Sequence, residues 1–399
     1  RPDLKLRKRI AFTLSILTLL FILVGVRIGS LTLFQGKSLT QRGISQWTRE
    51  GVVTAKRGAI VDRNGNVLAQ STTAYIVSAN PQLVESPRET AALLSSLLGA
   101  DADGMEKKLQ NKKQALVMLK RQVPRVQVDE IRSLRQESEE MQRLLRGISF
   151  DEDTRRFYPQ GISLAQTLGL TNVDSQGQSG LESRYETVLR GREGLLKTEA
   201  DAKGKLLPDG ETVYVAPQEG NTLQLTVDSA IQRIAEKAMQ QCMEDNSASS
   251  VQCIVMDVNT GGILALCMKP DYDPADPPRN DVERLQELMR ITAVSDVYEP
   301  GSTFKPLIMA AALEEKLVTP IRKIYCEKGT WRTRYVTIRD DTHSYEHLTC
   351  TEIISKSSNI GTAKIGLELG AETMHSYLSR LGFGRRTGIG IHESRGILR

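Results

Sequence analysis

The 399-residue chain has no long single-residue tract, and with 40% apolar and 25% charged residues it lacks the bias of collagen-like, mucin-like or wholly disordered chains. The length suits two or three domains of about 150 residues. Unbalanced charge is also scarce. Fifty-three basic and 48 acidic residues leave +5, and the excess is confined to one end. Arg1, Lys5, Arg7, Lys8 and Arg9 stand against Asp3, Arg27 adds one charge, and the remainder sums to zero. A neutral body offers no electrostatic footprint for nucleic acid. Cysteine is sparse: Cys242, Cys253, Cys267, Cys326 and Cys350 all lie beyond residue 217. The pattern fits either a Cys253–Cys267 bridge across a hairpin or buried free thiols in apolar strands. None of the five has a catalytic setting.

What the N-terminus does contain is a long apolar run. No charge occurs from Ile10 to Val26, and apolar residues continue through Leu31 to Phe34. As a helix this stretch is about 25 to 38 Å long, enough for a hydrocarbon core of about 30 Å, with Arg27 able to extend to the interface. The run is too long for a signal-peptide core, and Gly29-Ser-Leu-Thr32 is a poor cleavage site, so the expectation is an uncleaved anchor. The basic cluster precedes it, which predicts residues 1–9 in the cytoplasm and the body outside.

Residues 51–80 read as strands at 51–55, 59–61, 67–69 and 74–78, with Asn64-Gly65 as the hairpin signal. Residues 87–146, rich in Leu, Glu, Lys, Arg and Gln, read as several helices. Short strands and turns return over 155–214, and Pro217-Gln-Glu-Gly-Asn221 reads as a linker. Beyond it, Asp228 should cap a helix over Ser229–Cys242, and Val251–Met256 with Ile263–Met268 should form a hairpin. Helices dominate thereafter. The expected fold is α+β.

The chemistry-bearing segment is Tyr298-Glu-Pro-Gly-Ser-Thr-Phe-Lys-Pro306, followed by an apolar helix over 307–313. Pro306 is tolerated only in a first helical turn, so Ser302 belongs at the helix entrance, with Lys305 on the same face. There the exposed N–H groups and the helix dipole favour negative charge on the serine oxygen. A partly desolvated lysine can act as its base. A serine and a lysine three apart recur by chance, and such a pair alone carries little weight. A second polar cluster, Ser357-Ser-Asn359, adds to it. Thr349-Cys-Thr-Glu352 has capping-box spacing for a helix ending near Lys356, and a further helix runs over 360–369. A break between them can aim Ser357 and Asn359 into a cleft, although Ser and Asn are ordinary turn residues as well.

Ser302-Thr-Phe-Lys305 and Ser357-Ser-Asn359 resemble the first two motifs of the penicillin-binding proteins. Lys56-Arg-Gly-Ala-Ile-Val-Asp-Arg-Asn-Gly-Asn-Val-Leu-Ala69 resembles the opening box of the class B pedestal domain. Gly180-Leu-Glu182 and Gly191-Arg-Glu-Gly194 resemble its closing box, and the likeness, nearest to the sporulation and division types, covers almost the whole chain. It implies a tail and anchor over 1–35, a dimerisation or pedestal domain over 36–216, and a transpeptidase domain over 217–399 with a sheet covered by helices. It implies a serine D,D-transpeptidase that cross-links peptidoglycan stem peptides and is inhibited by β-lactams. Ser302 would attack the penultimate D-alanine carbonyl, Lys305 would take the serine proton, and Ser357 would relay it to the leaving amine. Asn359 would hold the substrate amide and Lys305. No cofactor or metal is implied, and a polytopic glycosyltransferase is the implied partner.

The family's third motif, Lys-Thr-Gly, does not occur. Arg386-Thr-Gly388 imitates it only 27 residues after Asn359, and the expectation is that the chain stops within the catalytic domain, with its activity in doubt. A rival signal is His343-Ser-Tyr-Glu-His347, which matches a zinc-peptidase pattern that needs both histidines on one helical face. Other roles for the chain are a penicillin sensor, which would lack the long pedestal, and a non-catalytic scaffold.

Overall fold

The computed structural model describes residues 2–33, 35, 48–199, 212–341 and 343–398. The fold is α+β and divides into two compact units whose segments alternate along the chain. The first comprises 1–59, 70–156 and 187–223, and the second 60–69, 157–186 and 224–399.

In the first unit, the helix Pro2–Leu33 contains the span Arg9–Thr32, long and apolar enough to cross a membrane, with none of it buried. An antiparallel sheet joins Thr48–Val53, Gly194–Glu199 and Thr212–Val215, placing Val52 opposite Leu195 and Leu195 opposite Val215. A separate core gathers Leu94 and Leu98 from the helix Pro87–Leu98 and Leu109 from Ala102–Gln110. Val128 and Ile131 from Arg125–Glu137 complete its helical side.

The all-helical expectation for 87–146 needs correction, because Val117–Pro124 is a strand. Val117, Leu119 and Val123 point into the core while Met118 faces out, a period of two interrupted in the sequence by Lys120-Arg-Gln122. The strands expected at 67–69 and 74–78 are one element, Val67–Ala79, since Gln70-Ser-Thr-Thr73 contains no breaker. The segment 217–221 has no helix or strand of its own, and Gln218 exchanges two 2.8 Å backbone hydrogen bonds with Arg192.

In the second unit, Gly65 takes φ +85° to close the turn begun by Asp62. The buried Asp62 carboxylate accepts hydrogen bonds from the Asn64 and Asn66 amides and from the Ser229 hydroxyl at 2.7 Å. It thereby joins the turn to the start of the helix Ser229–Asp245. Asp228 caps that helix by accepting from the amides of Ala230 and Ile231. Gln232 then donates to Leu266 O and accepts from Leu266 N, fixing the helix on the hairpin Val251–Met256/Ile263–Lys269. A further core forms around Ile353, Ile360 and Ile365, all fully buried, each contributing roughly 1.5 to 3 kcal/mol. It supports the helices Lys305–Glu314, Cys350–Ser355 and Asn359–Leu369.

Candidate active site

Ser302 lies in a single 3-10 turn, Gly301–Phe304, that runs directly into the Lys305–Glu314 helix with Pro306 in its first turn. Residues three apart eclipse in such a turn, so Ser302 and Lys305 stand one above the other. Ile308, Met309, Ala311 and Ala312 anchor the helix in the core, and Phe304 meets Phe383 edge to face at 5.8 Å.

The second cluster is built by capping. Thr349 Oγ accepts from Glu352 N at 3.2 Å, and Glu352 Oε2 accepts from Thr349 N at 2.9 Å, so the Cys350–Ser355 helix starts with a full capping box. The chain then reverses through Ser357, whose φ of +56° is left-handed. Ser358 caps the Asn359–Leu369 helix by accepting from Gly361 N at 3.0 Å. A Cβ at position 361 would approach Ile353 to 2.6 Å, so only glycine lets the two helices meet this closely.

These elements converge on a cavity of about 520 Å³. Lys305 Nζ donates to Ser357 Oγ at 2.9 Å and to Ser357 O at 2.5 Å, and Ser357 Oγ is 2.8 Å from Ser302 Oγ. Ser357 therefore stands between the serine and the lysine. Asn359 lines the cavity but gives its amide to Arg339 O at 2.8 Å, and Lys305 donates to Ser357 instead, so the expected hydrogen bond between Asn359 and Lys305 is not made. Burial pushes the Lys305 pKa below its ordinary value, while Asp340 pulls the other way. An exposed hydroxyl is thus joined through a second hydroxyl to an amine predisposed to lose its proton, which is the equipment of an acyl-transfer nucleophile.

Asp340 is the residue that sequence reasoning missed. Its carboxylate accepts from Ser358 Oγ at 2.9 Å and from Ile360 N at 3.0 Å, fixing the turn that presents Ser357. Arg339-Asp-Asp-Thr342 reads locally as a loop, and the only available signal was Ser358 at a capping position. Arg339, Asp341, His343, Tyr345 and Lys356 complete the cavity wall.

The rival motifs are not formed, although His343 lines the cavity. His343 and Glu346 precede the strand His347–Thr349 rather than lying on a helix, Glu346 pairs with Lys328 at 2.8 Å, and His347 stacks near Tyr325. Among the described residues no three His, Cys, Asp or Glu side chains gather as a metal site. Arg386-Thr-Gly388 is not on a strand; the Thr387 and Gly388 amides bond to Glu393. Cys253 and Cys267 face each other across the hairpin as free thiols, and burial pushes the Cys267 thiol up to about 12.

Two family models match the chain: the penicillin-binding protein dimerisation domain over residues 52–225 and the penicillin-binding protein transpeptidase domain over 251–397. The stage V sporulation protein D of Bacillus subtilis is 32% identical over 99% of this chain and 60% of its own length. The probable peptidoglycan D,D-transpeptidase PenA of Neisseria gonorrhoeae is 33% identical over 98% and 65%. The peptidoglycan D,D-transpeptidase FtsI of Escherichia coli is 30% identical over 95% and 62%. The chain thus spans about three fifths of the length of these relatives. Among solved structures, a peptidoglycan synthetase from Bifidobacterium adolescentis superposes with a TM-score of 0.61 at 26% identity, over 88% of this chain and 66% of the other. Penicillin-binding protein 2X from Streptococcus thermophilus shares the fold with a TM-score of 0.66 at 24% identity, over 88% and 55%.

Proposed function

The chain belongs to the class B penicillin-binding proteins, and we propose that it is a membrane-anchored serine D,D-transpeptidase that cross-links peptidoglycan stem peptides. The observation carrying this reading is the continuous path from Ser302 Oγ through Ser357 Oγ to Lys305 Nζ. With Lys305 neutral, Ser302 passes its proton through Ser357 to the amine as its oxygen attacks the carbonyl of the penultimate D-alanine. The peptide bond to the terminal D-alanine breaks, its nitrogen takes the proton back through Ser357, and an ester to Ser302 remains. The amine of a neighbouring stem attacks that ester, forming the cross-link and returning the proton to Ser302. Asn359 lines the substrate cavity, and β-lactams acylate the same serine. The N–H groups of Gly301 and Ser302 begin the 301–304 turn, where the backbone favours a developing oxyanion.

In this reading residues 1–35 are the cytoplasmic tail and anchor, 36–216 the pedestal and 217–399 the transpeptidase domain. The matches at 52–225 and 251–397 support that division. The basic cluster before the apolar helix supports a cytoplasmic N-terminus, and a glycan-polymerising membrane protein is the partner the reading calls for. Incubation with a stem pentapeptide ending in two D-alanines tests it. The expected result is release of D-alanine with a transient ester on Ser302, and both are lost in Ser302→Ala. Release that persisted in that variant would refute the assignment.

A further inference from the structure

We propose that Lys364, through Glu327 and Tyr325, is a positioning residue for acylation at Ser302, an inference that rests on the function proposed above. Lys364 lies on the Asn359–Leu369 helix one turn beyond Ile360, on the same face. Its ammonium donates to Glu327 Oε1 at 2.6 Å and to Tyr325 O at 2.9 Å, and lies 5.0 Å from the Trp331 ring centroid and 5.4 Å from that of Tyr325. The side chain is 23% exposed, so these partners replace most of its water.

What the ammonium holds is an improbable piece of backbone. Glu327, Lys328 and Gly329 take φ values of +51°, +50° and +84°, three left-handed residues in succession, of which only the glycine adopts that conformation without strain. Such a run persists only where its surroundings over-determine it. Lys364 holds the side chain of its first member and the carbonyl of Tyr325, two residues earlier. The run leads into Thr330–Arg332, which pairs with Thr337–Arg339, and Gly329 O accepts from Asp340 N at 3.2 Å. Asp340 in turn holds Ser358 and Ile360, and so returns to the helix that carries Lys364. A closed circuit therefore runs from Lys364 through the left-handed turn and the hairpin to Asp340 and the Ser357 turn. Ser357 touches both Ser302 and Lys305, so slack in the circuit moves the proton path itself.

Two measurements on the full chain test this: the second-order rate of acylation by a fluorescent penicillin as a function of pH, and amide hydrogen exchange. The titratable and charged groups around Lys305 in the cavity are Asp340, Asp341, Arg339, His343, Tyr345 and Lys356. Of these, Asp340 raises the lysine's proton affinity. Lys364→Met should lower acylation about 10- to 100-fold through misplacement. It should also move the acid limb of the pH profile to lower pH as Asp340 draws away, and speed exchange at 326–341 and 357–362 but not in the hairpin 251–269. Glu327→Gln should act in the same direction, and the double variant should be no worse than the worse single one; should Lys364→Met fail to fold, Glu327→Gln carries the test. Unchanged acylation and exchange, or a slower rate with the acid limb in place and exchange faster throughout, would overturn the proposal. Failure of the wild-type chain to acylate would instead count against the function proposed above, and the exchange pattern would still decide whether the circuit exists.

Discussion

At Lys305 two electrostatic effects oppose each other. Burial disfavours the ammonium and Asp340 favours it, and burial prevails. Between the lowered folded pKa and the ordinary value of 10.5 the unfolded chain binds the extra proton, so raising pH through that window stabilises the fold. In the proposed mechanism the neutral amine is also the active form. Acylation should therefore fall on acidification with a midpoint below pH 10.5, as stopped-time labelling across pH would register. Lys305→Met should lower acylation about 10²- to 10⁴-fold while leaving thermal stability at neutral pH equal or higher, because a desolvated charge is gone. Ser357 offers a second separation of function from stability. Glycine there should relieve left-handed strain of about 1 to 2 kcal/mol, raising the melting temperature, and at the same time sever the path and abolish acylation. The Ser302–Lys305 spacing was legible because three-residue geometry and Pro306 are local constraints. The interposed position of Ser357 was not, since no local rule demands a left-handed serine there.

Among elements, caps were the most readable features. Thr349 and Asp228 carry side chains that accept from amides two or three residues on, Glu352 reaches back to the Thr349 amide, and the structure has both caps. The strand Val117–Pro124 escaped because Lys120-Arg-Gln122 masks its alternation in a helix-rich neighbourhood. The turn at Asp62 was legible as a turn, but not as a clamp, because its partner Ser229 lies 167 residues away. Burial works to raise the Asp62 pKa, yet hydrogen bonds from Asn66, Ser229 and the amides of Asn66 and Asn64 outweigh it and hold the carboxyl well below the usual carboxylate range. Its stabilisation is complete above the unfolded carboxylate value of about 3.9 and is lost as pH falls toward the folded one. Asp62→Ala should cost on the order of 3 kcal/mol at neutral pH, and the loss of stability below about pH 4 should become shallower; denaturant melts at pH 7 and pH 3 measure both.

For the whole molecule, composition alone located the apolar helix and the neutral body, and family resemblance supplied the order of parts. The alternation of segments between the two compact units was hidden, because residues 60–69 are assigned by contacts with residues beyond 224 and not by their own pattern. The span Arg9–Thr32 predicts that removing residues 1–35 releases the protein from membranes without changing the circular dichroism of the remainder, which fractionation would register. The proposed reaction turns on a single oxygen atom, Ser302 Oγ. Intact-mass analysis of the full chain after incubation with benzylpenicillin, followed by peptide mapping, addresses it directly. One adduct on the peptide containing Ser302, absent in Ser302→Ala and greatly slowed in Lys305→Met, is the predicted result; an adduct on another residue, or one that survives Ser302→Ala, would contradict the account.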